Sequence, residues 1–246
     1  MGDRSPEQLD AAWSRRPSAR AVREVVLMGV LGPLMDAYTR RRVLGREHFD
    51  GLEAPVVFVA NHSSHMDTPA ILRALPRAWR RRTAVAAAAD YFYAKRRLGY
   101  TVSLFFGTVP MARDGRGLDA SATAHLERLF ADGWSLVMFA EGTRSRDGSV
   151  GKLRSGAAVL AAQHDLAIVP IHVSGTHEVM PVGRYWMRRS PGRRHPIEIR
   201  FGAPIRPDDD ERRGEVMERV RAFFEQAGAD TTPAERKTEL AGSAAP

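Results

Sequence analysis

From Pro55 onward the chain alternates short apolar blocks with longer stretches of helical pattern, and this alternation limits it to an α/β fold. Strands are expected near 56–60, 84–88, 102–109, 135–139, 167–173 and 197–201, and helices over roughly 69–76, 91–98, 119–132, 153–164 and 209–226. Such a series predicts a mostly parallel central sheet flanked by helices. The alanine run at 86–89 is ambiguous, because alanine favours helix over strand.

The 246 residues contain nothing like a central linker, so the chain reads as one domain with appendages. A polar leader and an N-terminal helix occupy 1–44 and the main domain 45–227. A tail over 228–246, rich in Ala, Thr, Glu and Pro, is expected to be disordered. Within Arg20 to Tyr38 lies an uncharged run, Val25 to Met35, bounded by Glu24 and Asp36 and flanked by arginines. It is too short to span a bilayer, which takes about 20 apolar residues. It predicts an amphipathic helix at the membrane interface, a helix packed on the domain core, or both. The polar start, Met1 to Asp10, is unlike a secretory signal, and Pro6 stands where myristoylation wants Ser or Thr.

Cysteine is absent, so disulfides, zinc–thiolate sites and thiol nucleophiles are excluded. Lysine plus arginine number 37 against 29 Asp plus Glu, which favours an anionic partner: nucleic acid, an acidic membrane surface or a phosphorylated substrate.

The chemistry is expected to centre on Asn61-His62-Ser63-Ser64-His65-Met66-Asp67-Thr68-Pro69. It follows the apolar block Val56 to Ala60, and Pro69 suits the first turn of a helix, with Asp67 or Thr68 at its cap. His62 then stands at the carboxyl end of a strand, where open α/β sheets bind ligands. An imidazole can act as a base near neutral pH, and a carboxylate on its far nitrogen fixes the tautomer and supports the imidazolium. By itself, this spacing is also met in structural pairs.

Further clusters follow strand-like blocks. Gly107 to Asp114 contains Arg113, which can grip a phosphate bidentately or simply pair with Asp114. Glu141-Gly142-Thr143-Arg144 brings a carboxylate, a flexible glycine, a hydroxyl and a guanidinium together, a set able to bind a polyol phosphate, or to form an ordinary turn. In Ile168 to Val173, Pro170 points to a bulge or edge. The stretch Met180 to His195 reads as a loop on a basic face, with Tyr185 and Trp186 among its arginines.

Taken in order, these elements resemble the four motifs of the glycerophospholipid acyltransferases, the 1-acylglycerol-3-phosphate acyltransferase family, over roughly residues 45–205. The resemblance implies an acyltransferase that moves a fatty acyl group to the free hydroxyl of 1-acylglycerol 3-phosphate. No cofactor is implied; acyl-CoA or acyl carrier protein serves as the donor substrate. His62 would be the base and Asp67 its orienting partner. Arg113 would contact phosphate, Glu141, Gly142, Thr143 and Arg144 would bind the glycerol phosphate, and Pro170 would help form an acyl or acceptor pocket. Implied partners are a lysophospholipid, an acyl thioester, an anionic membrane surface and, as the alternative donor carrier, acyl carrier protein, with no nucleic acid. The implied location is peripheral, on the cytoplasmic side of the cell membrane. Two positions depart from the pattern: Ala140 stands where proline is common, and Leu153-Arg154 where phenylalanine and lysine are often found.

Other readings remain open at this level. The acceptor can be another lysolipid or a small alcohol. His62, His65 and Asp67, joined by His172, have metal-ligand chemistry and suit a metal-dependent hydrolase. The arginine pairs, with Tyr91-Phe92-Tyr93, suit a non-catalytic basic module for membranes or nucleic acid. Ser63 and Ser64 are poor nucleophile candidates, being adjacent to the base and lacking a G-x-S-x-G elbow.

Overall fold

A computed structural model describes residues 9–88, 96–111, 120–189, 193–208 and 211–231. A seven-stranded sheet in the order β1-β7-β6-β2-β5-β3-β4 forms its centre. The strands are β1 (Thr39–Leu44), β2 (Val57–Ala60), β3 (Thr83–Ala88), β4 (Thr108–Met111), β5 (Ser135–Phe139), β6 (Ile168–Ser174) and β7 (His195–Phe201). Every pairing is parallel except β6 with β7. The expected mostly parallel sheet is therefore present. Val56 to Ala60 are fully buried because β2 lies between β5 and β6 and is covered on both faces, as its unbroken apolar run requires.

The chain enters through helix α1 (Pro17–Val25), passes a π-helical turn over Val26–Leu31, and continues as α2 (Gly32–Tyr38). Leu27 and Met35 join the core, whereas Val25 and Val30 are 68% and 57% exposed, so the helical stretch packs on the domain and still shows apolar side chains to the outside. The two acids bounding the uncharged run pair with buried arginines: Glu24 with Arg80 and Asp36 with Arg73. No helix among the described residues is long and apolar enough to cross a membrane.

Two elements differ from expectation. The stretch expected as a strand over 102–109 is mostly the end of helix α5 (Arg96–Phe106) in this numbering, which follows α3 (Asp67–Ala74) and α4 (Arg77–Arg80). Val102 and Phe106 lie four residues apart on one helical face, and Gly107, at φ +66°, ends the helix before β4 begins. Of the helix expected over 91–98, residues 91–95 fall outside the described residues. Second, Thr39–Leu44, assigned to the N-terminal segment, is the edge strand β1. Its arginines hid it: an edge strand tolerates charge, and Arg42 pairs with Glu198 of β7 at 3.5 Å. The remaining helices are α6 (Ala120–Ala131), α7 (Gly156–Gln163), α8 (Thr176–Val179) and α9 (Arg213–Thr231). Helix α9 runs past 227, so residues 228–231 are helical rather than tail.

Arg23 joins the N-terminal helix to α5. Its buried guanidinium donates to Leu104 O at 3.0 Å, Ser103 O at 3.0 Å and Ser14 O at 2.8 Å, tying the last turn of α5 to the segment before α1. Burial, then Arg20 and Arg15, lower its pKa to about 10, so it stays charged at neutral pH. Arg23→Met, which keeps the bulk and removes the donors, is expected to lower stability by about 2–3 kcal/mol, read as a shift in the denaturant midpoint. An unchanged midpoint would remove this role.

Candidate active site

The turn between β2 and α3 is organised by Asp67, the first residue of α3, which is fully buried. Its Oδ2 accepts the backbone N–H groups of Ser63 and Ser64, each at 2.8 Å, and lies 2.8 Å from His62 Nδ1. Its Oδ1 accepts the Thr176 hydroxyl at 2.6 Å. Oδ2 already receives two N–H donors, so Nδ1 is the donor nitrogen of His62 and Nε2 is left with a lone pair. The imidazole also stacks on Phe139, with ring centroids 3.8 Å apart and an interplanar angle of 17°. Asn61 bonds both N–H and C=O of Val173, tying the end of β2 to β6. Backbone, carboxylate and ring stacking thus set the imidazole in one orientation.

Glu141 braces the same turn. Its carboxylate accepts His62 N–H at 3.1 Å through Oε1 and Gly151 N–H at 3.1 Å through Oε2. Burial raises its pKa, opposed by these two hydrogen bonds. The side chain thereby joins two loops and also lines a cavity. Gly142 adopts φ +70°, a conformation that favours glycine, beside the Arg154 side chain. Ser145 N–H donates to His62 O at 2.7 Å, so the residue after Arg144 also holds the histidine turn.

His62 opens onto a cavity of about 1060 Å³, at the upper end of the usual range for ligand pockets. Its exposed lining residues include Thr143, Lys152 and Arg154, which mark the mouth, and His62, His65 and Glu141 line it as well. Its buried and half-buried lining is largely apolar and includes Val85, Val102, Phe106, Met111, Met138 and Val159. The ambiguous alanine run helps to make room: Ala86, Ala87 and Ala88 belong to β3 and line the same space, where larger side chains would intrude.

The other sequence candidates separate. Thr143 is on the wall, whereas Arg144 acts beside it: burial and then the Arg144 charge lower the His65 pKa to about 4, keeping that ring neutral at pH 7. Pro170 is buried in β6, outside the cavity lining. It lies where Val169 and Pro170 face three residues, Gly202, Ala203 and Pro204, between the Ile171–Phe201 and Ile168–Ile205 pairings. The extra residue of this bulge-like irregularity lies on the segment after β7 and not in β6, where Pro170 keeps its register with Val59 on an interior strand. Arg113 lies outside the described residues, as do Asp114 and Tyr91 to Tyr93. Among the described residues no group of three His, Asp or Glu side chains is placed to hold a metal. His172 packs against Phe224, and burial lowers its pKa to about 4.

Sequence reasoning missed Thr176 and Lys152. Thr176 follows Gly175, whose φ of +79° turns the chain into α8, and no local signal marks that turn as facing Asp67. The serines are also resolved. Ser64 Oγ donates to Met180 O at 2.7 Å and accepts Met66 N–H, while Ser63 Oγ lies 3.4 Å from Thr176 Oγ1. Ser63→Ala is therefore expected to keep activity near that of the parent, and a loss of about 100-fold or more would restore the serine as a chemical group.

A buried carboxylate thus holds an imidazole at the carboxyl ends of parallel strands, beside a cavity lined by exposed cationic and buried apolar residues, where open α/β sheets place their ligands. The family model described as Acyltransferase matches residues 40–174, and the chain belongs to that family. A chloroplastic 1-acyl-sn-glycerol-3-phosphate acyltransferase of Arabidopsis thaliana is 30% identical over 139 residues, which is 56% of this chain and 37% of that protein. A chloroplastic enzyme of the same name from Brassica napus is 29% identical over 141 residues, 57% of this chain and 39% of its own length. The chain thus aligns with well under half the length of these relatives. The fold is also that of the 1-acyl-sn-glycerophosphate acyltransferase PlsC from Thermotoga maritima, with TM-score 0.61 and 22% identity over 88% of this chain and 83% of that one.

Proposed function

We propose that the protein transfers a fatty acyl group from acyl-CoA or acyl carrier protein to the free hydroxyl of 1-acylglycerol 3-phosphate, forming phosphatidic acid. The observation that carries this reading is the Asp67-held His62 on the wall of a cavity that also has exposed Lys152 and Arg154 and a largely apolar buried lining. An acyl chain suits the interior, and the phosphates of donor or acceptor suit Lys152 and Arg154 at the mouth. The names of the Arabidopsis and Brassica relatives support the same acceptor.

In the proposed step His62 Nε2 takes the proton of the acceptor hydroxyl as its oxygen attacks the thioester carbonyl carbon. Asp67 stabilises the imidazolium that forms. The carbon–sulfur bond then breaks, and the imidazolium returns the proton to the departing thiolate, leaving ester and thiol. The remaining rate enhancement comes from holding the two substrates together. The protein would work peripherally at the cytoplasmic face of an anionic membrane, with the exposed valines of its N-terminal helix towards the lipid.

The test is transfer from labelled acyl-CoA, and separately from acyl carrier protein, to 1-acylglycerol 3-phosphate in detergent micelles. Formation of phosphatidic acid with either donor is expected. Transfer only to other lysolipids or alcohols would overturn the assigned acceptor, and no transfer from either donor to any acceptor would overturn the chemistry.

A further inference from the structure

The segment between α8 and β7 contains five arginines, Arg184, Arg188, Arg189, Arg193 and Arg194, and no acidic residue from Met180 onward. Its described part is a built loop. Arg188 N–H donates to Val179 O at 2.8 Å, closing the base, and Arg184 N–H donates to Pro181 O at 3.1 Å, tightening the turn. Met180 and Met187 pack against the core from either end. Between these anchors the tip presents Tyr185 at 84% exposure and Trp186 at 59%. Two large aromatic side chains exposed side by side at the tip of a closed loop differ from singly scattered surface apolar residues.

The loop adjoins the end of α2. Trp186 Nε1 lies 3.4 Å from the Tyr38 hydroxyl, the Arg189 guanidinium lies 5.5 Å from the centre of the Tyr38 ring, and Arg194 donates to Asp36 O at 3.1 Å. The nearby acids Asp36 and Glu178 leave a positive balance; Asp36 is already paired with Arg73. The face is at the same end of the sheet as His62. Ser174, the last residue of β6, pairs with Glu198, and His195 begins β7 three residues beyond it. His195 in turn pairs with Thr39, the residue after α2. Ser64, in the histidine turn, is bonded to Met180 at the loop's first residue.

We infer that the loop from Met180 to Arg189, with Tyr38 beside it, is a second membrane-docking element that inserts Tyr185 and Trp186 into the interface of an anionic bilayer while its arginines contact lipid phosphates. Aromatic rings suit the headgroup level, where one end is wet and the other apolar. Arginines at such a surface add electrostatic attraction that falls off within a Debye length. The bonded link between Ser64 and Met180 then fixes the height of the histidine turn above the lipid. The choice of lipid over other anionic partners rests on the proposed acyl transfer and on the apolar residues of the adjoining helix.

The experiment uses the full chain and vesicles of phosphatidylglycerol and phosphatidylcholine, some with brominated acyl chains that quench tryptophan. Trp186 is the only one of the four tryptophans that is largely exposed, which makes it a specific reporter. Quenching is expected in the parent protein and is mostly lost in Trp186→Phe, although that variant still sediments with vesicles. Arg188→Ala with Arg189→Ala is expected to weaken vesicle binding about 30-fold at low salt, a difference that closes at high salt. Equal quenching in Trp186→Phe and the parent, an arginine pair without effect, no vesicle binding, or tighter binding to nucleic acid at matched salt would each overturn the inference. Acyl transfer to detergent-dispersed acceptor reads the proposed function separately. Docking without transfer would remove that function and leave this surface standing, and transfer without docking would do the reverse.

Discussion

Replacing His62 with alanine is expected to lower the rate of acyl transfer by about 10²- to 10⁴-fold, the usual worth of a positioned general base. The protein should remain folded. Asp67 keeps its bonds from Ser63 N–H, Ser64 N–H and the Thr176 hydroxyl when the imidazole is removed, and Glu141 still holds the main-chain N–H of residue 62. The stack on Phe139 is lost, but His62 is a partly exposed wall residue whose removal enlarges an open cavity. Binding of acyl-CoA should therefore survive, and the deficit should appear in the single-turnover rate. The measurement is single-turnover transfer from labelled acyl-CoA by both proteins, with a thermal melt of each as control. A folded His62→Ala variant that transfers within tenfold of the parent rate would exclude His62 as the base.

Asp67→Asn is expected to cost about as much, on the order of 10²- to 10⁴-fold, with a smaller effect on folding than Asp67→Ala. An asparagine can place its carbonyl oxygen where Oδ2 accepts the N–H groups of Ser63, Ser64 and His62, and turn its amide towards Thr176, whose hydroxyl can also accept. The shape of the turn is retained and the negative charge is removed. That charge stabilises the imidazolium, so the loss should fall on the chemical step with little change in substrate binding. Alanine would also leave two buried N–H groups without an acceptor, which costs about 1–3 kcal/mol for each. A folded Asp67→Asn protein at full rate would show that the carboxylate is a structural brace alone. Thr176→Val isolates the remaining bond, and a partial version of the same deficit would mark Thr176 as a positioning residue.

The sheet was largely legible because parallel strands buried on both faces need continuous apolar runs, and Val56 to Ala60 is one. Helix α5 was misread for the same reason. Val102, Leu104, Phe105 and Phe106 look like a strand when taken as a run, and only a four-residue spacing against the cavity separates the two readings. Strand β1 was hidden by its arginines, which an edge position allows and a central one forbids. At the site, the pairing of His62 with Asp67 was readable since five residues and one turn bring them together. For Glu141, in contrast, the hydrogen bonds to the main-chain N–H groups of His62 and Gly151 were not readable, because they join loops far apart in the chain.

The amino-acid sequence by itself determined the elements set within a few residues: the buried β2 block, the turn that aims His62 at Asp67 and the glycine turn at Gly142. Each follows from local dihedral preference and short-range hydrogen bonding, which distant residues alter little. Tertiary structure alone decided what closes round them. Thr176 reaches Asp67 across 109 residues and Glu141 reaches His62 across 79, while the cavity joins α5, β3 and the loop at Lys152 and Arg154. Such partners are chosen by the order in which strands enter the sheet. That order comes from packing many apolar faces at once, so no single stretch of sequence records it.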